Sequence, residues 1–155
     1  MKVKTVLFTL AVCLVAASVV VAKTDSRMGT WKLNEAKSKI AAGAPKNHTV
    51  IYEAAGDDIK VIVDGTDGDG NAVHNEWTGR FNGKCFAVTG SPTSDQRCYR
   101  ATNSRTLQFT ERKDNKISVR GTVVFSKNGK TRTVTTTGVN AAGQKVNNVV
   151  VYEKQ

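Results

Sequence analysis

The stretch Val73-His74-Asn75-Glu76-Trp77-Thr78-Gly79-Arg80-Phe81 alternates between apolar and polar side chains. Its large apolar members, Val73, Trp77 and Phe81, share one face of an extended chain. The opposite face carries only polar side chains: His74, Glu76, Thr78 and Arg80. Alternation with a period of two is typical of a strand with one dry face and one wet face. This stretch therefore predicts an antiparallel sheet whose inner face is apolar.

The rest of the chain has the composition of a β protein. Residues 23–155 contain 16 Thr and 14 Val but only two Leu, Leu33 and Leu107. β-Branched residues favour strands, and so few leucines leave little material for the apolar stripe of a helix. Dipeptides typical of tight turns follow at short intervals: Asp64-Gly65, Asp69-Gly70, Asn82-Gly83 and Asn128-Gly129. Short strands separated by regular turns predict a sandwich or a barrel.

We therefore predict an all-β fold, an antiparallel up-and-down β-barrel of about 8–10 strands with one short helix after strand one. The helix is expected over Asn34–Ile40, because Asn34 is a good N-cap and Gly43 and Pro45 end the segment. The predicted strands are near residues 29–34, 47–54, 58–64, 73–81, 84–89, 95–101, 106–112, 116–126, 131–139 and 146–154.

The N-terminal segment predicts export. Lys2 and Lys4 precede an apolar run from Val6 to Val21, and the run ends in small residues at Ala22. This order is typical of a secretory signal peptide over residues 1–22. Its removal leaves one β-barrel domain, 23–155, with no transmembrane segment, and predicts a secreted or periplasmic location.

Two cysteines of this domain are placed to pair. Cys85 and Cys98 are equidistant from Ser91-Pro92, so a hairpin centred on that pair brings them opposite each other. An exported chain meets an oxidising compartment, which favours a disulfide. The alternative, a redox or nucleophilic cysteine, has no C-x-x-C spacing or nearby histidine to support it.

Two terminal motifs carry a family resemblance. Gly29-Thr30-Trp31-Lys32-Leu33 opens the first strand, and Val151-Tyr152-Glu153-Lys154 closes the last. The G-x-W opening resembles the calycin superfamily of lipocalins and fatty-acid-binding proteins, and the closing segment is similar to the end of the fatty-acid-binding proteins. The chain also resembles small exported bacterial proteins described as lipocalin-like. This resemblance implies a barrel with a cavity for a small apolar, lipid-like ligand, and structural roles for Gly29 and Trp31.

The resemblance also bears on the ligand. Tyr152 matches a ligand-contacting position of the fatty-acid-binding proteins, but Val150 stands where that family commonly has an arginine. Without that cation a buried carboxylate loses its charge-assisted hydrogen bonds, so the ligand is expected to be neutral. The helical lid of that family is expected to be truncated or absent here, because Asn34–Pro45 has room for only one short helix. The predicted ligand-binding residues are aromatic: Tyr152, Tyr52, Trp77, Phe86 and Phe109.

Catalytic and metal chemistry have little support in the sequence. His74 and Glu76 supply at most two ligands, whereas a zinc site needs three or four. Asp64, Asp67 and Asp69 lack the register of an EF-hand loop. We therefore predict a binding protein rather than an enzyme, with no cofactor, no metal site and no catalytic residues.

Charge is segregated along the chain. Residues 53–76 contain seven acidic side chains and one basic one, whereas residues 97–132 contain ten basic and two acidic ones. A basic side of this kind either keeps the protein soluble or steers it to an anionic envelope surface. Nucleic acid is disfavoured, because few aromatic residues are interleaved with these cations. The alternative function is an envelope protein-binding module, like a protease or lysozyme inhibitor, that uses this basic surface.

Overall fold

The structure is a computed structural model that describes residues 25–139 and 145–155. The predicted signal peptide, residues 1–22, lies outside these residues. Within them the chain forms ten antiparallel strands and one 3-10 turn. The strands are β1 (Gly29–Leu33), β2 (Lys46–Ala55), β3 (Asp58–Thr66), β4 (Ala72–Gly79), β5 (Asn82–Thr89), β6 (Gln96–Asn103), β7 (Thr106–Lys113), β8 (Lys116–Phe125), β9 (Thr131–Val139) and β10 (Lys145–Lys154).

The strands close into an up-and-down barrel, which confirms the predicted fold class. Each strand pairs with its neighbours in sequence, and β10 pairs with β1 through Trp31↔Lys154 and Leu33↔Tyr152. Closure leaves no edge strand exposed along the sheet. The barrel is compatible with a calycin-like fold.

The predicted helix after β1 is shorter than expected. Only Glu35–Lys37 forms a 3-10 turn, in which the Asn34 side chain accepts the Lys37 backbone N–H at 3.1 Å. Beyond it, Lys39 pairs with Val149 of β10, and Ser38 Oγ accepts the Val151 backbone N–H at 2.9 Å. Hydrogen bonds to β10 thus hold the chain extended where a helix was expected.

Two of the four turn dipeptides occupy turns, and two do not. Gly70 and Gly129 have positive φ in the loops that follow β3 and β8. Gly65 instead lies inside β3, where a Cβ would collide with the backbone of Lys46 next to a bulge in β2. Gly83 lies in β5 at an irregularity in its pairing with β6. Gly65 therefore allows close packing of two strands, whereas Gly83 supplies a positive φ of 87° at the irregularity in β5.

Side chains fill one end of the barrel. Trp31 is fully buried and packs edge-on against Phe125, with 5.4 Å between ring centroids, and its Nε1 donates to the Arg27 carbonyl at 3.0 Å. Leu107 is also fully buried in this layer. Trp31 thus belongs to the filled end of the barrel, and its structural role stays a prediction. A cavity lies in the other part of the interior.

Cys85 and Cys98 form the predicted disulfide. They are opposite each other on β5 and β6, with Cα atoms 4.0 Å apart. The bond is consistent with an oxidising, extracytoplasmic environment. Within the described residues, no helix has the length and apolar character needed to cross a membrane.

Candidate functional site

A cavity of about 190 Å³ occupies the open half of the barrel. Valines from several strands supply its apolar wall, among them Val50, Val61 and Val134. The start of β2 and the β5–β6 hairpin, with Pro92 and Thr93, line its rim. The volume is below the roughly 300–1,000 Å³ of sites for drug-sized ligands. A guest therefore has to be small, or the barrel has to widen around it.

The predicted aromatic residues divide into two groups. Tyr52, Phe109 and Tyr152 line the cavity. Trp77 and Phe86 face inward but belong to a stack of rings within the wall and are not among the residues that line the cavity. Whether any of the five contacts a ligand stays a prediction.

Tyr99 was missed as an inward residue by the sequence analysis. Its ring stacks between Trp77 and Phe109, with centroid distances of 5.2 and 5.0 Å. Tyr99 also lines the cavity. In β6, residues 97, 99 and 101 lie on one face of the strand. The period of two along the strand is therefore the sequence signal that could have identified the face of Tyr99. Burial raises the pKa of Tyr99, because ionisation would place a phenolate in an apolar wall.

Two arginines are inside the barrel, although the sequence analysis counted both among the basic strands of the surface. Arg97 on β6 is 6% exposed and Arg132 on β9 is 3% exposed. Both line the cavity. The interior therefore contains cations although position 150 is a valine, and the expectation of a neutral ligand stays an untested prediction.

Arg97 is neutralised by its own neighbours. Its Nε donates to Glu111 at 2.9 Å and its Nη1 donates to the buried Asn75 at 3.0 Å. Burial disfavours the charged form, but Glu111 more than offsets this, so the pKa of Arg97 is raised. Arg97 and Glu111 thus form a buried ion pair that adds no net charge to the cavity.

Arg132 is held differently, by aromatic rings. Its Nη1 donates to the Tyr52 hydroxyl at 2.8 Å, and its Cζ is 4.3 Å from the ring centroid of Tyr152, its cross-strand partner. The rings of Tyr52 and Trp31 are 5.2 and 5.6 Å away. Cation–π attraction of this kind stabilises a charge that water no longer reaches.

The Arg132 guanidinium keeps hydrogen-bonding capacity. Among the described residues, its buried Nε has no acceptor, and no carboxylate is within ion-pairing distance. A guanidinium has five N–H donors, and a buried unpaired charge is costly. Part of the donor capacity of this buried guanidinium is therefore unused. Burial raises the pKa of Tyr152 and Arg132 partly opposes that rise, so the hydroxyl remains a neutral donor beside the cation.

Metal ligands are not clustered in the described ranges. Across 25–139 and 145–155, no group of three or more His, Cys, Asp or Glu side chains is arranged to hold a metal ion. His74 Nδ1 instead pairs with Asp64 at 2.6 Å on the exposed face of β3 and β4. Asp67 accepts backbone N–H groups of Asp69 and Asn71, which orders the loop after β3.

Comparison of the chain with models of protein families and with curated protein sequences yields no match.

Proposed function

We propose that this protein is an exported, non-enzymatic carrier of the calycin type that binds a small amphipathic anion inside its barrel. The buried guanidinium of Arg132, with no carboxylate partner among the described residues, is the observation that carries the proposal. The ligand's carboxylate would accept hydrogen bonds from Arg132. The apolar part of the ligand would contact the valines of the cavity wall, such as Val50, Val61 and Val134.

Three features support this chemistry over a neutral ligand. An ionised acceptor roughly doubles the strength of a hydrogen bond from arginine, and a carboxylate matches the planar fork. A neutral guest would leave the charge of Arg132 uncompensated. The Tyr52 and Tyr152 hydroxyls lie beside the guanidinium and can contribute further donors.

Export is supported by the signal-like segment 1–22 and by the Cys85–Cys98 disulfide. Non-enzymatic binding is supported by the chemistry of the cavity. Its two buried arginines are engaged in an ion pair, Arg97–Glu111, or surrounded by rings, as Arg132 is. The other two ionic residues of its lining are engaged as well: Lys46 pairs with Glu35, and Asp67 accepts backbone N–H groups of its own loop. Neither arrangement supplies a nucleophile beside a base.

Calorimetric titration tests the proposal with hexanoate, octanoate and decanoate, each paired with the alcohol of the same length. We expect at least one carboxylate to bind at least about tenfold more tightly than its alcohol, the advantage of a charged hydrogen bond. Arg132→Gln should abolish this preference. Arg120→Gln, which removes the same charge from the outer face, should retain it.

Equal affinity for each acid and its alcohol would overturn the anionic ligand. Failure of every compound to bind, together with no ligand in native mass spectra of protein purified from its own source, would overturn the carrier function.

A further inference from the structure

An open groove of about 440 Å³ crosses the outer face of β5–β9, on the far side of the wall from the cavity. Its larger polar side chains come from alternate, outward positions of these strands: Arg100, Gln108, Thr110, Arg120, Thr122, Thr135 and Thr137. The carrier function leaves this surface without a role.

The strand register organises the groove into two rows. In the first row Arg100 faces Gln108, which faces Thr122, which in turn faces Thr135. In the second row Arg120 stands between Thr110 and Thr137. Each row therefore combines one cation with uncharged hydrogen-bonding groups.

The two arginines are spaced rather than clustered. They are two strands and two residues apart, which places their Cα atoms about 12 Å from each other at ordinary strand spacings. Within the described residues neither forms an ion pair. Both guanidinium groups are therefore available to an external anion.

At the edge of the groove, Gly83 of β5 lies beside the guanidinium of Arg100. A side chain at Gly83 would place its Cβ 2.9 Å from Nε and 3.0 Å from Nη2 of Arg100. Gly83 thus leaves room for the guanidinium to lie on the backbone of β5. The Cys85–Cys98 disulfide ties β5 to β6 beside it, and Cys98 itself lines the groove. A covalent bond fixes the strand that carries Arg100.

We propose that this groove binds a linear polysaccharide that carries carboxylate groups. The guanidinium groups of Arg100 and Arg120 take two carboxylates along the chain. The hydroxyls of Thr122, Thr135 and Thr137 and the amide of Gln108 take the sugar hydroxyls between them. A planar fork matches a carboxylate in two hydrogen bonds, whereas the threonines suit the uncharged groups of a uronate.

The same lining disfavours other polyanions. Only two of the lining residues are charged, too few for a densely sulfated chain. The lining offers no exposed aromatic ring on which a nucleic acid base would stack, since Phe109 is buried. It also has no exposed large apolar side chain of the kind that anchors a protein in a membrane surface.

Calorimetric titration with an octamer of galacturonate tests the proposal. We expect binding that weakens with added salt. Arg100→Gln/Arg120→Gln should weaken it at least about tenfold, the loss expected for charged hydrogen bonds. Arg105→Gln/Lys127→Gln removes the same charge outside the groove and should change it less than about twofold.

Two further variants separate recognition from charge and from folding. Thr122→Val/Thr135→Val removes two hydroxyls but keeps β-branched side chains, and should weaken binding while unfolding in urea at the same midpoint as the parent. Arg132→Gln should bind the octamer normally, because the cavity is on the other side of the wall.

Any one of four results would overturn the proposal. The first two are no binding of the octamer, and an equal loss of affinity in Arg100→Gln/Arg120→Gln and in its control Arg105→Gln/Lys127→Gln. The other two are tighter binding of a heparin octasaccharide than of the octamer, and tighter binding to phosphatidylglycerol vesicles.

Discussion

At the scale of single residues, the barrel stabilises two buried cations by different means. Arg97 has an anion and an amide, Glu111 and Asn75, within 3.0 Å. Arg132 is surrounded by three aromatic rings and donates to the Tyr52 hydroxyl. The first arrangement stabilises the fold, whereas the second leaves capacity for a ligand.

Glu111→Ala should therefore destabilise the protein strongly. The side chains of Arg97 and Glu111 are 7% and 16% exposed, so the variant leaves a buried charge unpaired. We expect a loss of about 3–5 kcal/mol in the free energy of unfolding, measured in urea. Arg97→Met/Glu111→Leu should lose less, because neither charge remains. Glu35→Ala breaks an exposed ion pair and is the control, for which little change is expected. A similar loss in the control would contradict this account.

The buried tyrosines predict instability in alkali. Burial raises the pKa values of Tyr99 and Tyr152 in the folded state, so the unfolded chain releases these protons at lower pH. The stability that these neutral hydroxyls contribute is fully present below about pH 10. Above that pH, each buried tyrosine lowers the free energy of unfolding by up to about 1.4 kcal/mol per pH unit. Chemical denaturation at several pH values should show Tyr99→Phe losing less stability than the parent between neutral and alkaline pH. Identical pH profiles would contradict the prediction.

The contacts of Arg132 show which part of the site the sequence could predict and which part it could not. Alternation along β9 places Arg132 on the same face as Val134, so an inward arginine was visible in principle. Its partners were not, because Tyr52 and Trp31 are far away in sequence and meet Arg132 only through the register of the closed barrel. From the sequence alone, Arg132 is expected on the surface with the other basic residues of 97–132, since most arginines are exposed.

At the scale of elements, the ten strands were predictable because each has a β-branched or aromatic inward face. The 3-10 turn and the strand position of Asp64-Gly65 were not predictable. Hydrogen bonds to Val149 override the local helix preference of Asn34–Ile40, and close approach of β2 explains Gly65. In both places, contacts between segments distant in sequence determine the backbone conformation.

Among neighbouring strands, β4 and β5 have the shortest backbone pairing. These strands pair only through Glu76↔Thr89 and Trp77↔Val88, whereas β5 is joined to β6 by the disulfide. We expect backbone amides on the β4–β5 boundary to exchange with deuterium faster than those on the long β2–β3 pair. Equal protection of the two regions would show that side-chain packing compensates for the missing ladder.

Removal of the disulfide should loosen the same region. Cys85→Ser/Cys98→Ser should lower the free energy of unfolding by about 3 kcal/mol, the value for a short closed loop. It should also accelerate exchange in β5 while leaving β2 and β3 unchanged. Urea unfolding with exchange mass spectrometry measures both effects, and uniform acceleration across all strands would contradict a local role.

At the scale of the whole molecule, the segregated charge becomes a difference between two sides of the barrel. The acidic side chains of β3 and β4 are largely paired locally, as in Lys60–Glu76 and His74–Asp64. Arg100 and Arg120 on the other side form no ion pair within the described residues. The positive field is therefore concentrated on the side that carries the groove.

The pairing of β1 with β10 has a consequence for how the chain acquires its structure. Trp31 and Lys154 are far apart in sequence, so they cannot pair until the strands between them have come together. Hairpins such as β7–β8 need only nearby residues and can form earlier. The seam between β1 and β10 joins distant segments and has the largest loop-closure entropy, so we expect its formation to be a slow last step of folding.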